Sequence, residues 1–148
     1  MTSKNTINLL DYALGVKGPE PVTINVGDDI EITLRRAHTG AQILAYEAVE
    51  QRRVDRAATV LASKQSDGKK ATEINGLIGD YTVELLDVLC TEDTDAETRK
   101  QAAERIVDLP AQARQQVFRS IGFLAGVVDE DGNPTWVPAS ETRRSTRG

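Results

Sequence analysis

Residues 22–61 read VTINVGDDIEITLRRAHTGAQILAYEAVEQRRVDRAATVL. Val22, Ile24 and Val26 alternate with polar residues, and so do Ile30, Ile32 and Leu34. A period of two is what a strand pair shows when one sheet face is buried. Gly27-Asp28-Asp29 supplies the turn, because Gly tolerates positive φ and Asp bonds its own backbone. Thr23, Asn25, Glu31, Thr33 and Arg35 fall on the outward face. Thr39-Gly-Ala-Gln42 then matches a capping box, in which a hydroxyl and a distal amide satisfy each other's unpaired N–H groups. Beyond it, Ile43, Tyr46, Val49, Val54, Ala57, Val60 and Leu61 recur at helical spacing. The stretch is a β-hairpin (21–36) running into a helix over 40–63. Two strands alone are marginal and need a helix against their apolar face. At least one strand is an edge that can accept a strand from another chain.

The remainder is read as helices packing on this unit. Ser66–Lys70 reads as a connecting loop, followed by a helix over 72–89. Ile74, Leu77, Ile78, Tyr81, Leu85, Val88 and Leu89 line one face of it, while Val83 and Leu86 add apolar surface away from that face. Such a helix is central to a helical layer, or covers both a core and an interface. Gly76 and Gly79 inside it point to a bend or to close approach of another backbone. Thr94-Asp-Ala-Glu97 is a second capping box, opening a helix over 95–109 that buries Ala102, Ala103, Ile106, Val107 and Leu109. Pro110 separates it from a helix over 111–127. That last helix faces inward with Ala113, Val117, Phe118, Ile121, Leu124, Ala125 and Val128. Phe123 lies off this face, for exposed contact or for covering the hairpin. Asp129–Pro134 is a turn, Thr135–Pro138 an extended piece, and Trp136 an anchor for the C-terminal end. Before the hairpin, residues 1–20 carry one apolar run, Ile7–Leu14, that suits a short helical turn. It either packs on the domain or awaits a partner. Residues 139–148 are polar and basic, the composition of a disordered tail. The expected fold is mainly α with a small N-terminal β-hairpin (α+β). It is a compact bundle of about four helices in a single domain over 21–138.

Composition narrows the function. With 148 residues the chain can bury a real core. Its net charge of −5, from 18 basic and 23 acidic residues, opposes binding to nucleic acid or anionic membranes. Six aromatic residues are poor equipment for base stacking. The single cysteine, Cys90, cannot form an internal disulfide and suits a reducing cytosol. It ends an apolar helix, which favours a buried hydrophobe over a reactive thiol. No apolar run reaches the roughly 20 residues of a membrane span, and the N-terminus lacks a signal-peptide layout. One histidine and one cysteine, far apart, make no metal site. His38, without a partner in its neighbourhood, reads as a loop residue. Asp67-Gly-Lys-Lys lacks the strand and spacing of a phosphate loop. A helix-turn-helix reading of 72–109 fails on its acidic connection. No enzyme, cofactor or metal is expected.

Six residues stand out as candidates for partner contact. Glu50 and Arg53 interrupt the stripe of their helix three residues apart, where they pair as a solvated salt bridge or orient a partner. Val83, Leu86 and Phe123 lie off their stripes, and Trp136 follows the last helix. For each apolar one the plain alternative is intramolecular core.

The hairpin Val22–Arg36, the helix from Thr39, and the last helix with its following DEDGNPTW turn resemble, in layout, the tail assembly chaperones of long-tailed bacteriophages, particularly those infecting actinobacteria. The acidic connections and the basic tail belong to the same likeness, which covers most of the chain. The resemblance implies a non-enzymatic protein of the host cytoplasm that is absent from the mature virion. It would bind the tape-measure protein, keep it soluble, and assist tail-tube subunits in assembling around it. It also implies, in many relatives, a longer frameshifted form. A homo-oligomer through the hairpin edge is compatible with this. Two alternatives stand beside it: a structural virion protein (head–tail connector or tail completion subunit), and a small regulatory or DNA-associated adaptor using the basic tail.

Overall fold

Two short strands and four helices make up the described part of the chain. The computed structural model describes Thr6, Asn8, Leu9 and residues 20–136. Apart from Asn8 and Leu9, the expected turn at Ile7–Leu14 lies outside these residues, as does the tail 139–148.

Strands β1 (Val22–Asn25) and β2 (Glu31–Leu34) pair antiparallel, from Val22 opposite Leu34 to Asn25 opposite Glu31. The turn is where the sequence places it. Gly27, Asp28 and Asp29 all have positive φ, at 108°, 54° and 61°. The Gly27 N–H donates to Asn25 Oδ1 at 2.7 Å. A side chain at Gly27 would also strike Arg105, whose guanidinium lies 2.8 Å from the position of an added Cβ. That arginine pairs with Asp28 at 3.0 Å and pins the turn to the third helix.

Helix α1 (Gly40–Ala62) starts at the Thr39 capping box, with both reciprocal hydrogen bonds formed. Helix α2 (Asp67–Leu89) begins five residues before the expected Thr72. Ser66 is its cap, accepting from Lys69 N at 3.3 Å, so residues 67–70 are the first helical turn rather than a loop. Helix α3 (Ala96–Val107) is capped by Asp95, whose carboxylate accepts from Thr98 N at 2.7 Å. The expected cap, Thr94, is instead buried, its hydroxyl accepting from Thr33 N at 2.8 Å. Helix α4 (Ala111–Leu124) stops before the expected Val127, because Gly126 turns left-handed at φ 74°. The N–H groups of Val127 and Val128 then fold back onto the Gly122 carbonyl. Thr135 and Trp136 form a turn rather than an extended piece, with Pro134 bridged to Val128.

Helix α2 is central. Tyr81, Leu85 and Leu89 are buried as the sequence predicts, but so is Leu86, with no exposure at all. Helix α1 packs along one side of α2 and α3 along another, so α2 has two buried faces. Leu86 is therefore core, the plain alternative to a partner contact. β2 is stitched to the end of α2: Arg35 N donates to Leu89 O at 2.7 Å, and Thr91 N to Thr33 O at 2.9 Å. The core joins Ile32 and Leu34 of β2 to Val49, Leu86, Ala102, Ile106, Ile121 and Val127.

The stripe of α1 is buried only in part. Val54 and Leu61 are 52% and 60% exposed, against the sequence expectation. Length explains this. At 23 residues, α1 and α2 are each about 35 Å long at about 1.5 Å per residue. Helices α3 and α4, with 12 and 14 residues, are little more than half that length. Among the described residues, the far ends of the long pair have only each other to pack on. Gly76 and Gly79 lie in this region with no neighbour near an added Cβ, so close backbone approach does not account for them.

Candidate functional site

Two constellations gather residues with chemistry. The first lies between α1 and α2. Glu50 and Arg53, one turn apart on α1, form the expected pair at 3.1 Å. The Tyr81 hydroxyl on α2 also donates to Glu50 Oε1 at 2.6 Å, and the Arg53 guanidinium lies over the Tyr81 ring, 5.1 Å from its centroid. Phe118 of α4 meets Tyr81 edge-on at 5.3 Å, and Trp136 meets Tyr46 edge-on at 5.8 Å. Burial first, and then the Glu50 charge, push the ionisation of Tyr46 and Tyr81 well above the ordinary phenol range. Both therefore stay neutral at physiological pH. The arrangement holds α1, α2, α4 and the C-terminal turn together, with Trp136 as the anchor the sequence suggests.

The second constellation is an apolar groove. Its near wall is Ile24 of β1 and Val26 just beyond the strand, both only half-buried. Its floor and far wall are Ile106 of α3, Leu109, and Val117, Ile121 and Leu124 of α4. The hollow is about 380 Å³, with Asn25, Gln116 and Ser120 at its polar rim. Ser120 and Leu124 continue it into a second hollow beside Phe123, bounded by Arg119, Asp129 and Glu130. Phe123 is 47% exposed and covers neither the hairpin nor the core.

β1 adds main-chain valence to this groove. Thr33 turns its N–H and C=O toward Thr94 and Thr91, away from β1. Thr23, opposite it, must then point its own N–H and C=O to the outer side, by the alternation of antiparallel ladders. Among the described residues β1 has no second strand neighbour.

The six candidates thus separate. Glu50, Arg53 and Trp136 belong to the first constellation, Phe123 to the end of the groove, and Leu86 to the core. Val83, 39% exposed, borders a different hollow between α2 and α3. Val117, Leu109, Ile24 and Val26 were not singled out by sequence as contact residues. Their apolar pattern reads as ordinary core, and only the meeting of three distant segments turns it into a groove. The Tyr81–Glu50 bond was missed as well, although Tyr46 and Glu50 stand four residues apart on one helix face.

The single histidine and the single cysteine have structural places. His38 Nε2–H donates to the Ala125 carbonyl at 2.6 Å, tying the β2–α1 connection to the end of α4. Cys90 is buried at the end of α2, and desolvation pushes its thiol up to about 11. Among the described residues no cluster of His, Cys, Asp or Glu could hold a metal ion, and no helix is long and apolar enough to cross a membrane. No protein family, no curated protein and no solved structure matches the chain.

Proposed function

We propose that this protein is a tail assembly chaperone of a long-tailed bacteriophage. It binds the tape-measure protein in the host cytoplasm, keeps it soluble, assists tube subunits in assembling around it, and is absent from the finished virion. The layout of hairpin, helices and DEDGNPTW turn motivates the assignment, and the open apolar groove along α4 is the single observation that supports it. A long helical client presents amphipathic turns that need an apolar trough while unassembled. A groove walled by aliphatic side chains, with polar groups at its rim, takes such a turn by its apolar face. Half-buried Ile24, Val26 and Val117 complete their burial only when something lies there.

Co-expression with the tape-measure protein of the same genome, followed by affinity capture, tests the assignment alongside mass spectrometry of purified virions. Capture of the tape measure, with this chain missing from particles, is the expected result. No capture, with the chain abundant in particles, overturns it in favour of a structural tail or connector subunit. Exposed Val54 and Leu61, two turns apart on one face of α1, favour that second reading, since such a pair suits contact between subunits.

A further inference from the structure

We infer that the groove takes an extended segment of a partner chain, which adds to β1 as a third strand. The segment carries aliphatic residues at alternate positions and a lysine or arginine at its C-terminal end. The inference rests on the groove being the client site and deepens that reading: it names the form and composition of the client where it meets β1.

Main-chain valence decides the form. Val22 and Ile24 spend their N–H and C=O groups on Leu34 and Ile32, so Thr23 and Asn25 point theirs to the outer side. Among the described residues nothing bonds to the main chain of Thr23 or Asn25 on that side. The edge also lacks the usual protection against pairing, since β1 has no charge, proline or bulge within Val22–Asn25. A helix lying there has already spent its own N–H and C=O groups and leaves the edge unpaired. An antiparallel strand pairs both residues through two of its own. Its side chains opposite Val22, Ile24 and Val26 then fall on the groove face, toward Val117, Ile121 and Leu124. The intervening side chains point to solvent, as exposed Thr23 and Asn25 do. Amphipathic turns of the same client lie further along, in the hollow beside Phe123.

Charge decides the end of the segment. Val22 pairs with Leu34, and two residues beyond Leu34 the Arg36 carbonyl lies against Gly126. The Val22 end of the edge therefore faces the hollow that Arg119, Asp129 and Glu130 border. Two carboxylates against one guanidinium favour a cation there, at the C-terminal end of an antiparallel segment. The same charge argues against a second copy of β1 as the occupant. Paired antiparallel, that strand would bring its own Asp28 and Asp29 toward Asp129 and Glu130.

The test titrates the full-length chain into a fluorescein-labelled peptide, TVTITVKK, whose third and fifth residues would face Asn25 and Thr23. Methylating the main-chain nitrogens of those two residues is expected to weaken binding at least about tenfold, and methylating those of the second and fourth far less. Glutamates in place of the two lysines are expected to weaken it by about tenfold at low salt. In the complex, amide hydrogen exchange should slow at least about tenfold at Thr23 and Asn25 and stay unchanged at Ile32. Thr23→Pro removes an outward N–H and leaves the β2 ladder intact, so it should weaken the peptide while circular dichroism stays native. Should that variant unfold, the methylated peptides carry the same test on the unaltered chain. No binding up to about 1 mM, equal weakening by both methylation patterns, or unchanged exchange at Thr23 and Asn25 would each overturn the proposal. Tighter binding beside β1 by a stapled helical peptide with the same aliphatic residues would overturn the extended form alone. Failure to capture the tape-measure protein, with every peptide result as expected, would instead count against the function assigned above.

Discussion

Removing one oxygen, by Tyr81→Phe, tests whether the Tyr81–Glu50 contact holds the two long helices together. The hydroxyl donates to Glu50 Oε1 at 2.6 Å, and the ring is buried against Phe118 and under Arg53. Phenylalanine keeps the ring packing, so only the hydrogen bond is lost. A bond to a charged acceptor contributes about 1.5–3 kcal/mol where both partners are desolvated. Glu50 is not fully buried: its side chain is 27% exposed and keeps Arg53 at 3.1 Å. Water and Arg53 therefore recover part of the loss, and the expected cost is about 1–2 kcal/mol. At about 2–4 °C per kcal/mol for a chain of this size, the midpoint falls by about 2–8 °C. Thermal melts and urea titrations followed by Trp136 fluorescence and far-ultraviolet circular dichroism measure the shift and the free energy, since Trp136 packs on Tyr46 beside the same carboxylate. A cycle with Glu50→Gln isolates the pair, and a coupling of about 1 kcal/mol is expected. A Tyr81→Phe protein within about 0.3 kcal/mol of wild type, or a cycle with no coupling, would refute the reasoning. It would place the cohesion of α1 and α2 in apolar packing alone.

Leu85→Asp puts an unpaired carboxylate at a site only 3% exposed, and a loss of cooperative unfolding by circular dichroism is expected; a folded variant would show that the core of α2 admits water. Gly126→Ala forces a residue with a Cβ into φ 74°, with that atom 2.9 Å from the Arg36 carbonyl oxygen, and should cost about 1–3 kcal/mol in urea titration. Cys90 should resist a thiol-exchange reagent in the native protein and react at the rate of unfolding. Its folded pKa, about 11, lies above the ordinary 9.0, so its contribution to stability is complete below pH 9 and declines as pH rises from 9 to 11. Stability measured by urea midpoint should therefore fall over that interval, and a flat profile would contradict the burial.

Features that depend on neighbouring residues were legible in the sequence, and those that depend on remote ones were not. The Thr39 capping box needs only four residues to declare itself, and it forms as expected. The Gly27–Asp29 turn likewise follows from side chains that tolerate positive φ. Thr94 looks equally like a cap, yet Thr33, sixty-one positions away, claims its hydroxyl, and Asp95 caps α3 instead. Val54 and Leu61 fit the apolar stripe of α1, but a stripe records spacing and not how far the covering helices extend. Leu86 looked peripheral because one face of α2 was already fully apolar. It is core because α3 and β2 meet the helix from another side. The groove was the least legible feature. It is assembled from β1, the end of α3 and the outer side of α4, and nothing local marks its residues as different from core.

If the groove is the client site proposed above, this division places stability and recognition on different elements. Residues of α2 are buried from two sides, so a large-to-small change there opens a cavity and costs about 2–5 kcal/mol. That approaches the whole stability of a small domain, about 5–15 kcal/mol. Groove residues such as Ile24, Val26 and Val117 are only half-buried among the described residues. Truncating one forfeits roughly half of the 1.5–3 kcal/mol that full burial of an aliphatic side chain contributes, about 1 kcal/mol. A protein stable by 5 kcal/mol remains folded after such a loss, but an occupant of the groove loses a contact that is buried only in the complex. The groove wall can therefore vary with its occupant while α2 keeps the fold. For the same reason, binding defects in wall variants can be read without the confounding effect of unfolding.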